Sequence, residues 1–142
     1  MKNELQQKIY KDFPKLFPRN SRPMFGFEVS DGWYDLIYNL CKEIDIERKK
    51  NKIIIDVTQV KEKFGGLRFY CTGNTAIFNL VRKAEDLSFK TCEVCGRKGK
   101  HRDIGRWLQT LCFKHYILKL SKRKYEYFTF NIRCMVRKWL KK

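Results

Sequence analysis

Four residues, Cys92, Cys95, Cys112 and His115, form a C-x2-C-x16-C-x2-H pattern, and nothing else in the chain constrains its fold as strongly. Two ligand pairs with two-residue gaps are the spacing at which two short turns present four ligands to one tetrahedral zinc ion. Gly96 directly follows the first pair, so the backbone can turn tightly and aim amides at the thiolates. The second pair opens an apolar run at helical spacing, Leu111, His115 and Leu118, which predicts that its ligands lie on the first turn of a helix. Knuckle, hairpin and helix start, in that order, predict a treble-clef-like finger. With four protein ligands the site has no open position for water or substrate, and the zinc is expected to be structural. His101 is the rival ligand; it lies in the stretch Lys98-Gly99-Lys100-His101-Arg102 and is read as a solvated loop histidine. Cys41, Cys71 and Cys134 stand alone among apolar neighbours and are expected to be small core residues with free thiols. Metal-type spacing, leftover thiols and no recognisable signal peptide predict a reducing compartment, the cytoplasm.

The chain has 142 residues, one domain's worth, and its apolar runs are too short to cross a membrane. Its formal charge of +17 is unevenly spread. Residues 1–91 hold 17 Lys and Arg against 12 Asp and Glu, whereas residues 92–142 hold 15 against 3. The field therefore comes mainly from the metal module and the tail, and it attracts nucleic acid or an acidic protein face. A protein this basic does not imitate DNA. The candidate partner-binding face comprises Arg97, Lys98, Lys100, Arg102 and Arg106 around the finger and Lys122, Arg123, Lys124, Arg133, Arg137 and Lys138 after it.

Along the chain, Asn3 is expected to cap a helix through about Phe13, and Pro14, Pro18 and Pro23 hold the next stretch extended. Ser30 or Asp31 is expected to cap a second helix from about Gly32 to Lys49, with Trp33, Ile37, Leu40, Cys41 and Ile44 as its buried stripe. Ile53 to Val60 and Leu67 to Thr72 read as a hairpin around Lys61 to Gly66. Its paired glycines serve either the turn, the favoured reading, or a close backbone approach. A third helix, about Thr75 to Ser88, carries Ile77, Leu80, Val81 and Ala84 on one side. After His115 the helix is expected to break at Ser121-Lys122-Arg123-Lys124 and to resume near Phe128 as a basic amphipathic helix with Ile132, Met135, Val136 and Trp139. Those apolar residues face a core or a partner, and aromatics mixed with cations can also stack unpaired bases. The fold class is α+β, helices packed on a small hairpin or sheet with an integrated finger. The expected segments are 1–91, the α+β part; 92–120, the zinc module; and 121–142, the basic aromatic tail.

Three stretches carry a resemblance: Phe25-Gly26-Phe27-Glu28 with Asp31-Gly32-Trp33-Tyr34-Asp35-Leu36; Val57 through Tyr70, including Lys63-Phe64-Gly65-Gly66-Leu67; and the Cys/His module with Trp107. Together, over about residues 20–116, they resemble a family of small uncharacterised proteins of bacteria, phages and prophages. The tail from about Ser121 departs from that family, whose members finish soon after the last ligand pair. As a compact, cofactor-poor, highly charged chain, the sequence also resembles the anti-CRISPR class, which includes basic zinc-containing inhibitors of Cas9. That resemblance implies a stoichiometric inhibitor that blocks target-DNA loading, with the basic region facing the effector protein or its nucleic acid.

The alternatives are a directly DNA- or RNA-binding zinc finger and, more distantly, a metal-dependent nuclease. A nuclease needs a histidine base and an open metal position beside the phosphate. Only His101 and His115 exist, and His115 is assigned to zinc. Glu28, Asp31, Asp35 and Asp56 are the acids that could hold magnesium, but capping and helix-surface roles account for Asp31 and Asp35. The expectation is a non-enzymatic binding protein with no small-molecule substrate and no membrane association.

Overall fold

The computed structural model describes residues 1–139, of which residues 126, 131, 132 and 134–139 by backbone alone. In chain order its elements are α1 (Asn3–Asp12), β1 (Phe27–Glu28), a 3-10 turn (Asp31–Trp33), α2 (Tyr34–Asn51), β2 (Val57–Lys63), β3 (Gly66–Cys71), α3 (Thr75–Ser88), β4 (Lys100–Asp103), β5 (Leu108–Leu111) and α4 (Phe113–Trp139). The architecture is α+β, with helices packed on a small sheet, and it carries a Cys3His cluster.

The first sheet has the order β1-β2-β3, with β1 parallel and β3 antiparallel to the central strand. The β2–β3 register slips between Val57 and Gln59. Strict alternation would put Val57 and Val60 on opposite faces, because they are three residues apart; the extra residue, exposed Thr58, lets both be fully buried. Leu67 and Phe69 of β3 join them, and α2 and α3 cover the sheet with Ile37, Leu40, Ile44, Ile77, Val81 and Ala84. Three rings close one end: Tyr10, Phe17 and Phe27 lie pairwise with centroids 5.2, 5.5 and 5.4 Å apart, the tilted and edge-on contacts aromatic rings favour. The proline-punctuated stretch after α1 delivers Leu16 and Phe17 to this core.

Several local expectations are corrected. Asn3 is the first residue of α1 rather than its cap, and its side chain accepts from Gln7 Nε2 at 3.1 Å. Neither Ser30 nor Asp31 caps α2, since a 3-10 turn intervenes; the Asp31 carboxylate instead accepts the Lys2 backbone N–H at 2.7 Å. The expected stripe of Trp33, Ile37, Leu40, Cys41 and Ile44 is buried throughout. The first hairpin strand starts at Val57, four residues later than expected, and continues through Lys63. α3 has the expected bounds, with Asn74 as its cap accepting from Ile77 N.

The chain divides into two compact units, Met1–Cys112 and the segment that begins at Phe113. The second unit contains a single helix, and the break expected at Ser121–Lys124 is absent from it. Lys and Arg are good helix formers, and the Ser121 hydroxyl donates to Ile117 O at 3.0 Å without interrupting the backbone ladder. The expected stripe of Ile132, Met135, Val136 and Trp139 falls on side chains outside the described residues. Among the described residues, no helix is long and apolar enough to cross a membrane.

Candidate metal centre

The knuckle is built by backbone bonds before any metal is considered. Cys92 N donates to Arg97 O at 2.7 Å, Gly96 N to Cys92 O at 2.8 Å and Gly99 N to Lys90 O at 2.8 Å. Gly96 has φ +74°, the left-handed conformation this tight turn requires. Backbone amides of Cys112, Cys95 and Val94 point at the Cys92 sulfur. From the knuckle the chain enters the β4–β5 hairpin, in register from Lys100↔Leu111 to Asp103↔Leu108, which returns it to Cys112. His115 follows on the first turn of α4.

The ligand atoms of Cys92, Cys95, Cys112 and His115 all lie within 4.8 Å of one another. Cys95 Sγ and Cys112 Sγ are 3.8 Å apart. Metal–sulfur bonds of about 2.3 Å at the tetrahedral angle place two thiolates about 3.8 Å apart, so the pair is already spaced for one ion. The cluster is compatible with a metal site, and it is the one such group of His, Cys and acids among the described residues. Burial pushes the Cys92 thiol upward against the backbone amides that favour its thiolate. At Cys95 burial also acts upward, but hydrogen bonds from the Arg97 side chain and backbone and from the thiols of Cys92 and Cys112 outweigh it, giving about 6. Cys95 is therefore poised as a thiolate at neutral pH, the form that binds metal.

Two glycine-bearing segments far upstream hold this module. Gly32 N donates to Glu93 O at 2.9 Å, and a Cβ at Gly32 would meet Cys95 N at 2.4 Å and Cys92 O at 2.5 Å. Only glycine lets this backbone lie against the knuckle. Next to it, Trp33 Nε1 donates to Thr91 O at 2.8 Å. The second support is the β2–β3 turn, where Phe64 and Gly65 have φ +54° and +77°, the pattern of a two-residue turn with both central residues left-handed. Thr110 Oγ1 donates to Gly65 O at 2.6 Å, and His101 Nε2 bonds Phe64 O at 2.8 Å. Gly66 serves the other glycine role, close approach, since a Cβ there would lie 2.3 Å from the Phe89 ring. A buried polar pair completes the floor, Gln109 Nε2 donating to Glu93 Oε1 at 2.7 Å.

His101 is corrected accordingly. It sits on strand β4 rather than in a loop, outside the cluster, with its direction set by Phe64 O and by an edge contact with Phe89 at 5.3 Å. Of the candidate basic face, Arg97 turns to Cys95, Lys98 is exposed beyond the knuckle, and Lys100 and Arg102 lie on β4. Arg106 occupies the β4–β5 loop, and Lys122, Arg123, Lys124 and Arg133 are exposed along α4. Arg137 and Lys138 lie on the α4 backbone with side chains outside the described set. The acids Glu28, Asp31, Asp35 and Asp56 are not brought together: Glu28 accepts from Gln59, Asp31 from Lys2 N, and Asp56 from Ser21. Cys41 and Cys71 are free thiols; burial raises Cys41 well above the usual thiol range and Cys71 to about 11, Cys41 lying within the core and Cys71 half-buried against it. Cys134 falls outside the described side chains. Compared with known proteins, the chain matches no family model, no curated protein and no solved structure.

Proposed function

We propose that this chain is a zinc-binding protein that acts by stoichiometric binding, with a Cas9-type nuclease as its partner and target-DNA loading as the step it blocks. Three thiolates and one imidazole form the donor set typical of zinc, and four protein ligands leave the ion a structural role. The observation that carries the binding reading is the surface of α4. Phe113, Leu118, Tyr125, Tyr127, Phe128 and Phe130 are exposed on it, interleaved with the exposed cations Lys122, Arg123, Lys124 and Arg133. Large exposed apolar side chains mark interaction surfaces, and a basic setting selects an acidic one. Apolar anchors of this size favour a protein face over phosphate alone, and the resemblance to zinc-containing anti-CRISPR proteins names the effector. The metal site and free thiols support residence in the cytoplasm of a bacterial host.

A second reading, direct binding of DNA or RNA, is favoured by the formal charge of +17. Titrating the purified protein into a Cas9-type effector, before and after target DNA is added, separates the two. Cleavage lost at one equivalent, and only when the protein is added first, supports inhibition. Tight binding to naked DNA at physiological salt, with no affinity for the effector, replaces it with the second reading. In that case neutralising several of the basic residues flattens the salt dependence, by about 0.7 to 0.9 in slope per lost phosphate contact.

A further inference from the structure

The two hairpin tips that meet at the metal module enclose a cleft of about 440 Å³, lined by Glu62, Lys63, Phe64, Arg106, Trp107 and Leu108. Its aromatic walls are placed at a conformational cost. Three non-glycine residues among those described have positive φ: Lys52, which closes α2, and Phe64 and Arg106, which both line this cleft. A left-handed turn position favours Gly, Asn or Asp, and a phenylalanine there is strained. Burial does not account for it, because Phe64 and Trp107 are each 63% exposed. Strain retained at the solvent-facing Phe64, and at Arg106 next to Trp107, points to a ligand that uses this cleft.

The walls are also held still. Both carbonyls of the Phe64–Gly65 turn are bonded to the facing hairpin, through His101 and Thr110, and Glu62 Oε1 accepts Gly65 N at 2.5 Å. On the other side Asp103 Oδ1 accepts Arg106 N at 2.7 Å, and Ile104 N donates to Trp107 O at 2.9 Å. The Glu62 carboxylate keeps its charge while it is bonded to the turn, so the lining carries two cations, Lys63 and Arg106, against one anion. The Lys63 ammonium lies over one face of the Phe64 ring, 5.3 Å from its centre, which leaves the opposite face for a planar ligand.

We propose that this cleft takes an unpaired base of single-stranded nucleic acid, its ring stacked on Phe64 and Trp107 and its phosphates on Lys63 and Arg106. Stacking between aromatics with cations at the edge is how sequence-tolerant single-strand sites are built. The site lies wholly within Met1–Cys112 and does not depend on the partner assigned to α4.

The test measures binding of the metal-loaded full chain to a fluorescent oligothymidylate, to an abasic strand of equal length and to a duplex. Bases, not charge alone, should matter, so the thymidylate should bind more tightly than the abasic strand. Phe64→Gly removes the ring, retains the turn's backbone bonds and relieves the left-handed strain, so it should melt no lower than the parent. It should nevertheless weaken thymidylate binding about 5- to 150-fold, the effect of losing one base–aromatic stack, while leaving the abasic strand unchanged. Trp107→Ala should do the same. Equal affinity for the thymidylate and abasic strands, a preference for duplex, or undiminished binding by both variants would overturn the proposal.

Discussion

The body and the knuckle-hairpin segment, residues 91–112, occupy one unit but are held by different forces. The body's core is a continuous cluster of twenty buried hydrophobic residues, from Ile9 to Ala84. In the module the buried hydrophobics are Cys92, Ile104, Leu111 and Cys112, two of them members of the Cys3His cluster, beside the buried polar residues Glu93, Gln109 and Thr110. Apolar burial stabilises the first, at about 25 cal/mol per Å². The second has too little apolar surface for that route and is held by bonds to the backbone of Gly32, Phe64 and Gly65, to which an ion in the Cys3His cluster would add. The difference teaches that the module is not an independent finger. It is a loop carrying the candidate metal ligands, set on a platform that the body makes.

The strongest way to break this comparison is to remove the metal. Structural zinc contributes about 10–16 kcal/mol of apparent binding energy in small fingers, so chelation or Cys112→Ser should open residues 91–112 while β2, β3 and α2 stay protected. Hydrogen exchange read alongside non-denaturing mass spectrometry reports both halves. Global unfolding on chelation would show that the body also needs the ion; a protected β4–β5 hairpin in metal-free protein would show that the module does not. Next in size is Ile37→Ala in the body core, fully buried, expected to lower global stability by about 2–5 kcal/mol. Metal affinity measured well below the melting transition should not change, and a matched loss of affinity would erase the proposed division. The smallest effect, and the most selective, belongs to the platform. Gly32→Ala places a methyl group against Cys95 N and Cys92 O and should cost about 1–3 kcal/mol. That cost should appear as weaker metal binding in a competition titration, with the thermal transition of the body retained.

The ligand set was legible in the sequence because close spacing brings each pair together locally, whatever the rest of the chain does. The same holds for α3, whose apolar repeat is local, and for the buried stripe of α2. What was not legible were the long-range supports. Gly32 reads as a helix start and Phe64-Gly65-Gly66 as a turn, and nothing local says that both present backbone to residues about 40 to 60 positions away. Glycine beside a large aromatic in each stretch, Gly32 with Trp33 and the Gly65-Gly66 pair with Phe64, was the available signal. His101 was misplaced for the same reason, since its fixed direction comes from Phe64 O and Phe89 rather than from its neighbours in sequence. The expected break in α4 failed differently: a run of like charges was read as punctuation, although its residues favour helix.

The order of these parts along the chain has a consequence for synthesis. Every residue of the apolar cluster, and both glycine-bearing supports, precede Cys92. During translation the body can therefore close, and present Gly32 and the Phe64–Gly65 turn, before the first thiolate leaves the ribosome. The metal ligands then emerge onto a surface already shaped to receive them, so the ion is captured by a nearly formed site rather than by a floppy chain. Folding in that order would leave the four candidate ligands one place in which to assemble.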